Sequence, residues 1–407
     1  MCCNDGMNLV ALKSPQFRSY ILSLHLALNG FWAQRVIIGW LAWVLTGSPS
    51  FVGLVAFLNF FPTLFVSPLF GVVADRIDVR LGSIISYAGA GTLSGIFAWI
   101  CLAGAVTPPL LAGFSFLTGV ISSANHPMRM SLTPRLAPAR DLSSVVALTA
   151  LNFNLSRLIG PAVGGALIHG LGAPLSLVVT AASYVAPVLA LWFMRPRERS
   201  AEARPERSSY FGELLDGWRY ALRQPLVRTA IIFTGIGALA GRSVLETLPV
   251  LANGVFSKGP AGLGFMTAAA GAGAACAAIF KAFSQAQKPG VFQGHVLFML
   301  LLVPLLVAGL ALVKSFHAAV GVVLLLGGCV TLLAISLQAL VQMAINDHYR
   351  GRVMGLWTTV SIGSGALGAM MMGLLVDRIG VAPAQQSIGV ALASLGVAAI
   401  ISFRRRR

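Results

Sequence analysis

The sequence predicts an all-α, polytopic membrane protein with twelve transmembrane helices in two six-helix halves. Three observations predict it. Apolar residues fill 57% of the 407 positions and charged residues only 10%, far below the roughly 25% typical of soluble domains. Apolar windows of about 20 residues, enough to cross a bilayer, recur along the whole chain. The cations also alternate: of 29 Lys and Arg, 23 fall in connections on the side of the N-terminus, three (Lys258, Lys314, Arg378) on the other side, and three inside spans. By the positive-inside rule this predicts a multi-pass protein of the plasma (inner) membrane with both termini cytoplasmic.

In chain order, windows near 18–45, 51–74, 81–103, 108–130, 142–168 and 173–194 make the N-terminal half, 1–194. Residues 195–227 form a polar cytoplasmic linker. Within it Tyr210, Phe211, Leu214, Leu215, Trp218 and Leu222 recur at helical spacing opposite Glu213, Asp216, Arg219 and Arg223, which predicts an interfacial helix. Windows near 228–252, 261–283, 291–313, 317–343, 352–376 and 384–403 make the C-terminal half, 228–407.

Several function classes fall away. The net charge of +17 is spread over short loops rather than one basic face, so no nucleic-acid partner is expected. The five cysteines are scattered, with neither a disulfide framework nor metal-ligand spacing, and no metal or cofactor is expected. No span carries a nucleophile–base pair, so the chain does not read as an enzyme. No Gly-x-x-x-x-Gly-Lys-Ser/Thr is present to bind ATP. The expected partners are a small-molecule substrate, protons and the lipid bilayer, with the monomer as the working unit.

An ionised group inside a span costs about 2.5–3.5 kcal/mol on insertion scales, so such groups are candidates for function. There are four: Arg35 in span one, Arg157 in span five, and Arg242 with Glu246 in span seven. At 3.6 residues per turn His25, Asn29, Trp32 and Arg35 share about a third of their helix, and Asn154, Arg157, Pro161 and Gly165 do the same on span five. Span ten adds Gln338, Gln342 and Asn346, span four Asn125 and His126, and span eleven Trp357. Arg35, Arg157, Arg242, Asn29, Trp32, Asn154, Gln338, Gln342 and Trp357 are therefore the predicted substrate contacts. Glu246 is the sole carboxylate deep in a span and the predicted proton carrier; its alternative is plain pairing with Arg242 one turn earlier. His25 reads as an ordinary interfacial histidine. Three cations against one acid leave a formal +2, which favours an anionic ligand.

Gly71-Val-Val-Ala-Asp75-Arg76-Ile-Asp-Val-Arg80, with its spacing Gly-x-x-x-Asp-Arg-x-x-x-Arg, resembles the signature loop of the major facilitator superfamily of secondary transporters. That resemblance implies that Gly71, Asp75, Arg76 and Arg80 form a conformational latch. Gly160-Pro161-Ala-Val-Gly164-Gly165 is similar to the superfamily's antiporter motif, with Ser156 where the motif usually has a leading glycine. Trp32-Ala-Gln34-Arg35, Leu45-Thr46-Gly47-Ser48-Pro49, Glu213 to Trp218 and Arg350 to Gly355 resemble the branch that includes enterobactin and macrolide exporters. The resemblance implies alternating access and proton-coupled export of a medium-sized anionic, siderophore-like metabolite. Multidrug or macrolide efflux, uptake of a metabolite or metal chelate, and a transporter-like receptor are the alternatives.

Overall fold

The computed structural model describes residues 9–194, 196–197, 210–284, 291–346 and 349–405, and these are helical almost throughout. In the first part of the chain α1 is Pro15–Thr46, α2 Pro49–Arg76, α3 Val79–Leu102, α4 Pro108–Leu132, α5 Leu142–Ser183 and α6 Val185–Phe193. After the linker come α7, Tyr210–Arg223, α8, Pro225–Leu245, a π-helical stretch at Val250–Val255, and α9, Gly259–Phe283. Then follow α10, Gly294–Leu310, α11, Phe316–Ala344, α12, Arg350–Ile379, and α13, Val381–Arg405.

The count of spans follows from local chemistry. Among the described residues eight helical segments are long and apolar enough to cross a membrane. One of them, residues 144–193, is 50 residues long and is interrupted at Gly172, whose φ of 74° and ψ of 164° no helix contains. A residue without Cβ takes that conformation at no steric cost, so a single glycine separates spans five and six. Adding α4, α8 and the 17-residue α10 brings the total to the expected twelve.

Helix ends use the usual punctuation. Pro15 opens α1 behind Ser14, whose Oγ accepts from the Phe17 N–H at 3.4 Å, and Gly47 closes it at φ 61°. Span seven departs from the unbroken helix that residues 228–252 predict. Helix α8 stops at Leu245, Glu246 is its C-cap, and the chain turns before the π-helical stretch. The cause is Pro249, which lacks the N–H that the Leu245 carbonyl would need four residues on.

Two compact units are formed: one by Met1–Leu41 and Pro62–Pro205, the other by Ala42–Phe61 and Glu206–Arg407. The core of the first gathers Phe17, Tyr20, Leu24, Tyr87, Leu132 and Leu191 from α1, α3, α4 and α6. In the second, α9 packs on α11, α12 on α8 and α10 on α13. Bulky apolar side chains remain exposed at span ends, among them Trp99, Trp192, Phe193 and Phe283, as expected where a helix meets the lipid interface.

Candidate functional site

In the first unit the site is built on the α1–α5 pair, and two glycines set its spacing. A Cβ on Gly160 would lie 2.5 Å from Cβ of Trp32 and 3.0 Å from the Asn29 carbonyl oxygen; one on Gly164 would lie 2.8 Å from the Ala33 carbonyl. Small residues allow the backbones this approach, as the glycines of the Gly160-Pro161-Ala-Val-Gly164-Gly165 run predict. Pro161 lies within α5, and Gly165 is buried.

Across that contact lies a polar cluster. His25 Nδ1 is 2.6 Å from Asn152 Oδ1 and 3.2 Å from Ser156 Oγ, and His25 Nε2 is 3.1 Å from Asn29 Nδ2. Asn29 Nδ2 also donates to the His25 carbonyl at 2.8 Å and to Ser156 Oγ at 3.3 Å, while Asn152 Nδ2 donates to the Ile21 carbonyl at 3.3 Å. Asn152 is not among the predicted site residues, and Ser156 was singled out only as a departure from the glycine motif. The signal was there: both sit at i, i+4 in register with Gly160 and Gly164, the face a tight helix contact must use.

One turn along α1, Trp32 makes edge contacts with Phe31 and Phe153 at 5.4 and 5.9 Å between centroids, and the Arg35 guanidinium lies over its ring at 5.1 Å. Such a contact holds a cation at an aromatic face. The indole Nε1 of Trp32 is buried without a hydrogen-bond partner. Arg157 is half-buried, and Asn154 is exposed with its Nδ2 donating to Ala150 of its own helix. Asn154 thus lies off the face of α5 that Gly160 and Gly164 turn to α1, whereas Arg157, two turns before Gly164, borders that face. Gln34, also missed, is buried and accepts from Ser94 and Tyr184, both at 3.2 Å, tying α1 to α3 and to the start of α6.

Of the four predicted latch residues, Gly71, Asp75 and Arg76 end α2, and their side chains lie outside the described residues. Arg80 binds within the first unit: Nε donates to the Leu191 carbonyl at 2.8 Å and Nη2 to that of Trp192 at 2.6 Å. A cation there closes the C-terminal carbonyls of α6, where the helix dipole favours positive charge.

In the second unit Arg242 Nη1 donates to Glu246 Oε1 at 3.1 Å, with side chains 25% and 18% exposed. The guanidinium lies 4.8 Å from the Phe60 ring centroid, and the Arg242 stem runs over Gly365 of α12, where any Cβ would collide with it. The pair sits where α8 breaks, so the carboxylate is at the end of a helix rather than inside one. Broken helices at the middle of a span are a recurrent way to present charged and backbone groups to transported solutes. Trp357 is buried and its Nε1 donates to Thr234 Oγ1 at 3.0 Å; Gln338 is half-buried and Gln342 exposed on α11. Among the described residues no three His, Cys, Asp or Glu side chains gather to hold a metal ion.

The structure therefore joins Asn29, Trp32 and Arg35 in one unit and Arg242 with Glu246 in the other. Its fold is shared with transporters. A bacterial homolog of the human lysosomal transporter Spinster superposes with a TM-score of 0.75 at 15% identity, covering 96% of this chain and 97% of that one. The nucleoside transporter NupG superposes with a TM-score of 0.67 at 14% identity, covering 96% and 98%. In sequence, the enterobactin exporter EntS of Shigella boydii serotype 4 is 27% identical over 98% of this chain and 96% of its own length. That of Escherichia coli O127:H6 is also 27% identical, with the same coverage. The family model described as transmembrane secretion effector matches residues 7–407. The chain belongs to that family of the major facilitator superfamily, a family of multi-pass membrane transporters rather than enzymes.

Proposed function

We propose that this protein exports a medium-sized anionic, siderophore-like metabolite from the cytoplasm in exchange for protons. The observation that carries the reading is the pairing of cations with aromatic rings: Arg35 over Trp32 and Arg242 over Phe60, with Arg157 as a third cation and Glu246 as the one carboxylate deep in a span. Guanidinium groups bind carboxylates and other oxyanions through paired donors, and a flanking ring favours a ligand with planar groups of its own. The names of the exporters at 27% identity point the same way.

Both termini and the 195–227 linker face the cytoplasm in this reading, which rests on the cation asymmetry. The loop at Gly71–Arg80 then acts as a latch at that surface, biasing the conformational equilibrium without touching substrate.

Proteoliposomes holding the purified protein test the export reading. With an imposed pH gradient, uptake of enterobactin or of a carboxylate siderophore should run against its concentration gradient and stop when the gradient is collapsed. Tight binding and transport of a cationic dye such as ethidium, with neither siderophore moved, would replace this reading with drug efflux.

A further inference from the structure

We infer that His25 is a proton-binding site of the first unit and that Asn29 reads its charge; the role this serves in transport rests on the proton-coupled reading above. The hydrogen bonds settle which proton the ring holds. Asn152 is oriented by its Nδ2 donating to the Ile21 carbonyl, so the atom it turns to the imidazole is the acceptor Oδ1, and His25 Nδ1 carries hydrogen. Asn29 is oriented by its Nδ2 donating to the His25 carbonyl, so the atom it turns to the ring is a donor, and His25 Nε2 offers its lone pair. These contacts fit the Nδ1–H tautomer.

Asn29 is overcommitted on one side and empty on the other. Its Nδ2 has three acceptors within reach, the His25 ring, the His25 carbonyl and Ser156 Oγ, for two hydrogens. Its Oδ1 is buried with no partner at all. A buried acceptor left unmade is costly, so it calls for a donor that arrives in another state. A proton added at His25 Nε2 supplies it. Nε2 then changes from acceptor to donor, the amide N–H facing it becomes repulsive, and rotation of the Asn29 side chain brings Oδ1 to the imidazolium while giving up the Nδ2 bonds to the His25 carbonyl and Ser156 Oγ. Asn29 stands at the close contact of α1 with α5, against Gly160, one turn from Trp32 and about two from Arg35. Its rotation is therefore felt in helix packing and at the proposed anion site together.

The surroundings leave the role to histidine. The α-helices of the first half, α1 to α6, carry no carboxylate except Asp75 in the last turn of α2. Among the described residues the hydrogen-bond partners of the His25 ring are Asn152 and Ser156 of α5 and Asn29 of its own helix, and all three are neutral. The charges on these helices are cations: Arg18 lies two turns before His25 and Arg35 further along α1, Arg157 follows Ser156 on α5, and Arg129 of α4 lies over the Phe153 ring at 5.5 Å. Histidine is the side chain whose charge changes between pH 5 and 8 without help.

Nitrogen NMR of the full-length protein labelled at histidine, titrated from pH 8.5 to 5 in lipid nanodiscs, tests this without any substrate. The His25 signals, identified by their loss in His25→Gln, should show the Nδ1–H neutral tautomer at high pH and a doubly protonated ring at low pH. Asn29→Leu, which removes the waiting acceptor, should weaken proton binding about tenfold, and Asn29→Asp should strengthen it. A His25 ring that stays neutral throughout, or one that titrates identically in wild type, Asn29→Leu and Asn29→Asp, overturns the inference. Absence of siderophore flux in the proteoliposomes leaves this titration standing and overturns the export reading instead.

Discussion

The two units solve the same problem, a cation inside the membrane, by different means. In the second unit Arg242 is matched by a carboxylate 3.1 Å away and by the Phe60 ring, at a point where the helix is broken by a missing N–H. In the first unit Arg35 lies on Trp32, the helices bear no acid save Asp75 at one end, and the polar atoms are neutral amides and hydroxyls gathered on His25. One unit thus sets an ion pair at a helix end, and the other packs α1 tightly on the first part of α5 around a polar knot. The lesson is that the first unit should fail through packing and the second through electrostatics, and each expectation below tests one side of that contrast.

The largest effect belongs to the glycines between α1 and α5. Gly164→Leu drives a side chain into the Ala33 backbone, which cannot move as the end of a flexible chain would, and overpacking of this kind costs about 1–3 kcal/mol or more. Folded protein should be lost or its melting temperature should fall by many degrees in a fluorescence-detected thermal assay. Gly113→Ala in α4, where nothing lies within 4 Å, is the matched control and should gain slightly in stability from better helix propensity. Equal melting of Gly164→Leu and wild type would mean that the α1–α5 contact is looser than drawn.

Next is the ion pair. Glu246→Gln leaves Arg242 with a neutral partner, and with both side chains partly exposed the loss should be about 1–3 kcal/mol, below that for a fully buried pair. The double variant Arg242→Gln with Glu246→Gln should recover part of that stability, as a double-mutant cycle would record. Proton-driven accumulation in proteoliposomes should fall at least about tenfold in Glu246→Gln while exchange of substrate across the membrane continues. Undiminished accumulation would reduce Glu246 to the structural partner of Arg242.

These residues also show what a sequence can and cannot disclose. Span number and position were legible because a bilayer sets a length of about 20 apolar residues and demands helices, and glycine and proline mark their ends. The four ionised groups were legible for the same reason, since charge in an apolar run stands out. What went unread was the stripe of span five that meets span one, although the glycine spacing marks it. Asn154, Arg157 and Pro161 make as good a stripe on paper as Asn152, Ser156 and Gly160; only the close approach of Gly160 and Gly164 to α1 tells them apart. His25 was read from its distance to the span end, and its partners on span five, Asn152 and Ser156, were not foreseen. The break after Leu245 was within reach, since Pro249 announces it.

A smaller effect concerns anion binding. Arg35→Gln and Arg242→Gln each remove a charged donor but leave a side chain of similar reach, so affinity for a carboxylate or catecholate siderophore should fall about tenfold in either, with a cationic dye unaffected or bound better. Isothermal titration against both ligand classes separates the two units. A fall in only one variant would assign the ligand to that unit alone.

The smallest effect lies at the far end of α12, and it bears on the latch. The run Gly373-Leu-Leu-Val-Asp377-Arg378-Ile379 repeats the pattern of Gly71-Val-Val-Ala-Asp75-Arg76-Ile77, one at the end of span eleven and the other at the end of span two. Within the second unit Asp377 Oδ2 accepts from Ser48 Oγ at 2.9 Å and from the Ser50 N–H at 3.0 Å, at the first turn of α2, and Gly373 lets that turn approach. A carboxylate at a helix N-terminus meets open N–H donors and a favourable dipole, worth about 1 kcal/mol. Asp377→Ala should therefore cost about 1 kcal/mol of the state in which residues 42–61 pack with the second half, and Asp377→Asn, which keeps an acceptor but not the charge, roughly half of that. In a background lacking the native cysteines, alkylation of Phe51→Cys should then quicken about fivefold for the alanine variant and about twofold for the asparagine, since 1 kcal/mol shifts a two-state ratio by that factor. Unchanged alkylation in both would show that the aspartate merely finishes a helix end, and that the pattern shared with residues 71–77 has no counterpart in motion.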